Sequence, residues 1–410
     1  MNTKKETQKN RTRDLIFIPL FIFLLISYGG VGSAEEQDPI TIGLPTDPNA
    51  PWNAAGHNGI ITWNQPVDWS IIPYPILKYS KEELSSLMRA HAEKQEFNLT
   101  SYQSIQQADD TKEMKYVSLL SSLSYDPALR DQGSCGNCWV FAPTASLEIQ
   151  MAKQNMPERL SIQAFNSGWT GPAEASEKTK NTWFACNGGT PDWFIEYYLQ
   201  NNKTLIPWSN EGAAFTDYNC TYSSCKTAKT PYHEIAQTPA YTIKSLTNGK
   251  VTTTGISGKD AADQIKTLID NDIPVLLALF FPHKQAWQDF YTFWEQGDET
   301  THAFDITKYA GNTWNYAQGG GHQVLITGYY ESEQGGYFEC LNSWGGPKNR
   351  PNGTFLINMN VNYNSAYSNT ALAQMFEATI LEIGEYISAP ADESTPTYEP
   401  STIRPGIVRT

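Results

Sequence analysis

The sequence predicts an α+β protein in two segregated halves, a helical one followed by a β-rich one. Three observations carry this reading. Val140, Thr144, Leu147 and Met151 recur at helical spacing, and a second helical stretch covers Thr190–Gln200. Further along, apolar runs of strand length follow one another. Hydrophobic content of 40% and aromatic content of 12% supply a core for a globular chain of 410 residues.

In chain order, Lys4, Lys5, Lys9, Arg11 and Arg13 precede the apolar run Leu15–Ile26 and a small-residue exit at Gly32 and Ala34. This reads as a secretory signal peptide over 1–34, because the run falls short of the ~20 residues that span a bilayer. Residues 35–115 form a separate N-terminal segment. Within it Ser80 and Glu83 make a capping-box signature that opens a helix, and a weaker helical stretch follows near Ser101–Lys115. The main body is 116–383, helical over about 132–235 and β-rich over about 236–383. Pro143, one turn into the helix that starts near Cys138, predicts a kink. Asp260–Asp270 reads as a helix with Ser257 as its cap. Strands are predicted over Val275–Phe281, Gln323–Tyr330, Tyr337–Leu341, Thr354–Met359 and Glu377–Ile383. Residues 384–410, rich in Pro and Thr, read as a disordered tail.

A net charge of −14 argues against nucleic acid, whose phosphates need a basic face. With the leader removed, a monomer without stable membrane attachment is expected outside the cytoplasm, secreted, extracellular or periplasmic. There disulfides are allowed, but six cysteines are too few to build the fold.

Cys135 and Cys138 make a C-x-x-C pair inside DQGSCGNCWVF. A redox pair would sit between strand and helix in a βαβ unit, and nothing strand-like precedes Ser134. Zinc needs four ligands; Cys220 and Cys225 are a poor second half, and no nearby histidine completes the set. Neither metal nor cofactor is therefore expected. The remaining reading divides the labour. Cys138, where a helix begins, can hold a depressed pKa and act as nucleophile, with Cys135 in a structural disulfide. Such a nucleophile needs a base, a group that orients the base, and a donor for the oxyanion. His322 opens a strand behind three glycines in GGGHQVLITGYY. Asn342, at a strand end beside Ser343 and Trp344, suits the orienting role.

QGSCGNCW, GGGHQVLITGY and NSWGG, in that order and with Cys186-Asn187-Gly188-Gly189 between the first two, resemble the papain family of cysteine peptidases. The resemblance covers about Leu119–Ile383. It implies a helical subdomain and an antiparallel β-barrel-like subdomain with the active-site cleft between them. It implies Cys138 as nucleophile, His322 as its proton partner, Asn342 orienting His322, and Gln132 donating to the oxyanion beside the Cys138 N–H. Cys135 would pair with Cys186. Gly188 and Gly189 would hydrogen-bond an extended protein or peptide substrate. Trp139 would pack beside the nucleophile and Trp344 would cover the His–Asn contact, with ordinary core packing as the alternative for both. Thiolate and imidazolium would form an ion pair, each holding the other charged.

The function implied is a secreted cysteine endopeptidase made as a zymogen. A papain-like enzyme of other acyl transfer (deamidase, deubiquitinase or transglutaminase-like) is disfavoured by Gln132 and the C-N-G-G wall. A silent binding module is disfavoured by the full set of Cys138, His322, Asn342 and Gln132. Some features depart from the family. The Cys138-to-His322 spacing exceeds the expected ~130–150 residues. The excess falls in Ser167–Trp183 and in Pro282–Gly320, the latter a cleft overhang or a surface elaboration. Gly321 stands where the family has Asp or Asn, which changes the expected pocket shape and pH dependence. Cys220 is expected to bridge Cys225, leaving Cys340 a buried free thiol. Residues 35–115 stand where the family carries its propeptide, and would block the cleft as a removable segment or stay attached as an exosite domain.

Overall fold

The computed structural model describes residues 74–102, 115–172, 184–200, 203–221, 224–299, 302–332, 335–370 and 373–388. The leader, the start of the N-terminal segment, most of the second helical stretch and the tail beyond 388 lie outside the described residues.

The first described helix, α1 (Lys81–Glu93), opens on the expected capping box. The Glu83 N–H donates to Ser80 Oγ at 3.1 Å, and the Ser80 N–H to Glu83 Oε2 at 2.7 Å. Strand β1 (Lys115–Ser118) follows, then α2 (Cys138–Lys153), buried on almost every side. Helix α2 runs through Pro143 as one element. Proline has no N–H to offer the carbonyl of Trp139, and beside it Thr144 Oγ1 donates to the Val140 carbonyl at 2.7 Å. Short α3 (Ile162–Gly168) and α4 (Pro191–Gln200) complete the helical half.

The β-rich half contains β2 (Ala240–Lys250), α5 (Gly258–Asp270), β3 (Val275–Phe281), α6 (Lys284–Gln296), β4 (Ala303–Phe304), β5 (Gly320–Ser332), β6 (Gly335–Leu341), β7 (Thr354–Asn358) and β8 (Gln374–Ile387). Ser257 caps α5 by accepting the Asp260 N–H at 3.1 Å. Eight strands form one sheet in the order β2-β8-β3-β5-β6-β7-β4, with β1 on β5. All pairs are antiparallel except β4 with β7. The barrel-like half is thus an unclosed sheet that begins at β2 and ends at β4. Strand β3, VLLALFF, lies between β8 and β5, which suits a run with no polar face. Strand β8 continues past residue 383, where the tail was expected to begin, because Tyr386 and Ile387 pair with Tyr241 and Ala240.

Two apolar clusters meet at α2. Ala142, Ala145 and Ile149 join the sheet with α5 and α6, while Trp139, Val140, Leu147 and Met151 pack with α3 and α4. Helix α2 is the seam between the halves, and its first residue is Cys138. The Pro282–Gly320 stretch is in part core rather than overhang or surface elaboration. It holds α6, whose Trp287, Phe290 and Trp294 are buried against Trp344. Among the described residues no helix is long and apolar enough to cross a membrane.

Candidate active site

Cys138 is fixed by the turn that precedes it. Cys135 and Cys186 form a disulfide, and the Gly136 N–H donates to the Cys186 carbonyl at 3.0 Å. A Cβ on Gly136 would stand 2.6 Å from that carbonyl oxygen, so only glycine lets the chain pass so close. Across the seam, the Gln323 N–H of β5 donates to Cys138 Sγ at 3.4 Å. The N–H groups of Cys138 and Trp139, at the tip of α2, face the same sulfur. Gln323 adjoins His322, so the sheet brings the histidine to the helix tip.

His322 Nε2 lies 2.8 Å from Asn342 Oδ1. That oxygen also accepts the Ser343 N–H at 2.8 Å, which fixes the amide orientation and makes Nε2 the protonated ring nitrogen. In the neutral ring the Nδ1 lone pair is then free, and Nδ1 is buried without a hydrogen-bond partner among the described residues. Trp344 lies 4.6 Å from the imidazole, with Trp287 and Phe290 at 5.9 and 6.0 Å, so aromatic rings keep water from the His–Asn contact. Gln132 is fully buried, its Nε2 donating to the Cys135 carbonyl at 2.7 Å and its Oε1 accepting from Ser343 Oγ at 2.6 Å. One amide N–H of Gln132 remains for a further acceptor. Ser343 thus holds Gln132 and Asn342 in one network, reinforced by the Gln132 N–H on the Ser343 carbonyl at 2.8 Å.

Gly188 and Gly189 wall the other side, with a positive φ of 103° at Gly188. A Cβ on Gly189 would stand 2.4 Å from the Trp139 ring, so this wall lies directly on the indole. Trp139 is core as well as neighbour: its indole N–H donates to the Ala185 carbonyl at 3.0 Å, and its ring meets Phe165 and Trp169. Trp344 is 1% exposed, so it shields His322 and offers no face to solvent. Cys220 is bonded to Cys225, and Cys340 is a buried free thiol, both as expected.

Part of the N-terminal segment lies over this site, as one of the two readings of residues 35–115 expected, and it does so through Tyr74, Leu77 and Tyr79. Leu77 pairs with Gly321 in both directions, Leu77 N–H to the Gly321 carbonyl at 3.0 Å and Gly321 N–H to the Leu77 carbonyl at 2.7 Å. Its side chain rests against Gly136 and Gly188. Tyr74 stacks on Trp344 at 4.7 Å and donates its hydroxyl to the Trp344 carbonyl at 2.7 Å. Tyr79 packs against Gly321 and Phe280. Beneath this segment Cys138 is 0% and His322 1% exposed, and the cavity left beside His322 and Trp139 holds about 30 Å³, room for about one water. Burial pushes the Cys138 thiol up to about 12, against the pull of the three N–H groups. Burial likewise brings His322 down to about 4, partly offset by its bond to Asn342. Burial thus works against the expected ion pair in the covered site, favouring the neutral form of both groups.

Comparison with known proteins bears on the same region. The chain is 25% identical over 223 residues to the gamete and mating-type specific protein A of Dictyostelium discoideum, covering 54% of this chain and 38% of that one. It is 25% identical over 259 residues to an aleurain-like thiol protease of Arabidopsis thaliana, covering 62% and 56% respectively. The match thus spans less than two thirds of the length of either relative. Among solved structures, digestive procathepsin L 3 of the Tenebrio molitor larval midgut aligns with a TM-score of 0.38 and 17% identity, over 72% of this chain and 78% of that one. The family profile described as papain family cysteine protease matches residues 124–375, which take in Gln132, Cys138, His322 and Asn342 and well over half of the sequence, and the chain belongs to that family.

Proposed function

We propose that this chain is a cysteine endopeptidase, exported and made as a latent precursor, in which Cys138, His322, Asn342 and Gln132 carry the reaction. The observation that supports it most is the shared Asn342 Oδ1, which leaves His322 Nδ1 as the free base on the side away from Asn342. Once the cleft is open to water, the Cys138 thiol gives its proton to Nδ1 and the resulting ion pair is stabilised at the tip of α2. The thiolate attacks the carbonyl carbon of a peptide. The oxyanion takes the Cys138 N–H and the spare amide N–H of Gln132. As the C–N bond breaks, the imidazolium returns its proton to the leaving amine. Water then attacks the thioester, passing a proton to His322, and the C–S bond breaks to restore the thiol.

Latency is supported by the segment 74–79, whose Leu77 takes both backbone hydrogen-bonding groups of Gly321 and shares one buried apolar cluster with Cys138. Export accords with the leader pattern and with two disulfides, which persist in oxidising compartments. The test is to purify the full chain, follow its mass and activity, and label it with a thiol-directed epoxide or vinyl sulfone. Labelling and peptide hydrolysis are expected once mass is lost from the N-terminal side, and neither in Cys138→Ala. A matured chain that hydrolyses no peptide and resists every such probe would remove the reading.

A further inference from the structure

The cavity beside His322 does not end at apolar walls. It runs from Gly189 and His322, past Ala278 and Met375, to the carboxylates of Asp192 and Glu377. Glu377 leaves β8 in the sheet interior with its side chain 10% exposed, and Asp192 stands in the first turn of α4. Both already hold cations. Lys94 Nζ lies 2.8 Å from Glu377 Oε2 and 2.5 Å from Asp192 Oδ1, and His91 Nδ1 lies 3.2 Å from Glu377 Oε1. These cations belong to the N-terminal segment, His91 to α1 and Lys94 to its C-cap. From the body, Asn248 Nδ2 donates to each carboxylate at 3.2 Å. Departure of the segment leaves two carboxylates sharing one neutral amide donor. Two carboxylates left side by side without their cations repel each other, so the next cation able to enter is favoured in turn.

We propose that Glu377 and Asp192 make this cavity a cation-selecting pocket, so that the preferred substrates are peptides with a lysine or arginine close to the bond that is cut. This rests on the peptidase reading above. With Leu77, Tyr79, Leu87 and His91 of the segment withdrawn, the cleared pocket receives the side chain in two parts: Ala278 and Met375 line the way for an alkyl stem, and the carboxylates meet its charged end. Lys94 shows an ammonium seated between the two acids. Arginine adds a planar fork that two carboxylates can share. The acids thus first hold the covering segment and then read the substrate.

The experiment takes the full chain, incubated until mass and activity are steady, with active enzyme counted by labelling of Cys138. A peptide library places Arg, Lys, Gln or Leu at each position around the scissile bond. One position is expected to favour Arg and Lys. Glu377→Gln should lower the Arg-over-Leu ratio of kcat/KM roughly 10- to 100-fold, the range for a charged hydrogen bond. Glu377→Asp should restore part of it, and Asp192→Asn should give a smaller, several-fold fall. Cleavage by wild type with apolar preference at every position overturns the pocket and leaves the peptidase reading intact. An unchanged ratio in Glu377→Gln also overturns it; if that variant does not fold, an unchanged ratio in Asp192→Asn decides the same way. A wild type that neither labels nor cleaves removes both proposals.

Discussion

Replacing Leu77 by alanine is expected to expose Cys138 in the full chain. Leu77 is 5% exposed, lies against Gly136 and Gly188, and is paired through its backbone to Gly321. Alanine keeps that pairing and removes only the packed side chain. Buried Leu→Ala changes cost about 2–3 kcal/mol at the lower end of their range. The whole cost falls on the covered state, because the side chain is in water once the segment lifts. The covered-to-open equilibrium should therefore shift roughly 30- to 150-fold. With the covered thiol held up at about 12, its thiolate is scarce at pH 7, and labelling must pass through the open state. The labelling rate should rise by the same factor.

The assay is alkylation of freshly purified full chain by iodoacetamide at pH 7, followed by mass. Cys340 is the internal control, since it is a buried free thiol packed in the core among the sheet residues. Labelling of Cys138 alone reports local uncovering. If both cysteines accelerate together, Leu77→Ala has loosened the whole fold and the reasoning fails. It fails equally if Cys138 is labelled at the wild-type rate.

Three other outcomes follow from the same structure. Asn342→Ala in the matured enzyme should lower kcat roughly 10²-fold with little change in KM, since it frees the imidazole to turn; pH-rate profiles and kcat against KM check it. Glu148→Leu strands the buried guanidinium of Arg130, whose Nη1 lies 2.9 Å from Glu148 Oε2, and should cost about 3–5 kcal/mol in urea unfolding. Glu377 is brought from the usual 4.5 down to about 2, by the His91 and Lys94 contacts against the opposing effect of burial, while Asp192, sharing Lys94, is pushed up by burial and by the Glu377 charge. A depressed carboxylate stabilises the fold above its unfolded pKa. The hold of Glu377 on α1 should thus be intact above about 4.5 and be lost as pH falls toward 2, with amide exchange in α1 rising over that window.

Elements with a local signature were legible. Ser80 and Glu83 announced α1, Ser257 announced α5, and the unbroken apolar run of β3 announced a central strand. Strand β2 escaped because AYTIKSLTNGK mixes charged and polar residues and shifts register at Ile243, so no clean alternation survives. Helix α6 was hidden by its aromatic richness, which resembles a loop insertion. Yet Trp287, Phe290, Tyr291 and Trp294 recur at helical spacing and lie on one buried face. At the site, Cys138, His322, Asn342 and Gln132 could be named because each sits in a short motif. Leu77 and Tyr79 could not. Their roles come from contacts across the fold, and no sequence neighbour marks them.

The glycines ahead of His322 bear on whether the N-terminal segment is a removable cover or a lasting appendage. A Cβ at Gly320 would stand 2.4 Å from the Leu77 carbonyl oxygen, and one at Gly321 would stand 3.0 Å from the Tyr79 ring. The absence of side chains at these two positions is what lets the segment lie on β5, which also accounts for glycine where the family has Asp or Asn. The body of the protein is therefore shaped to its own N-terminal segment at the histidine itself, the one place where a lasting appendage would forbid turnover. A segment meant to remain as an exosite would fit a surface that leaves Cys138 and His322 open. Closure over both speaks for the removable cover proposed above.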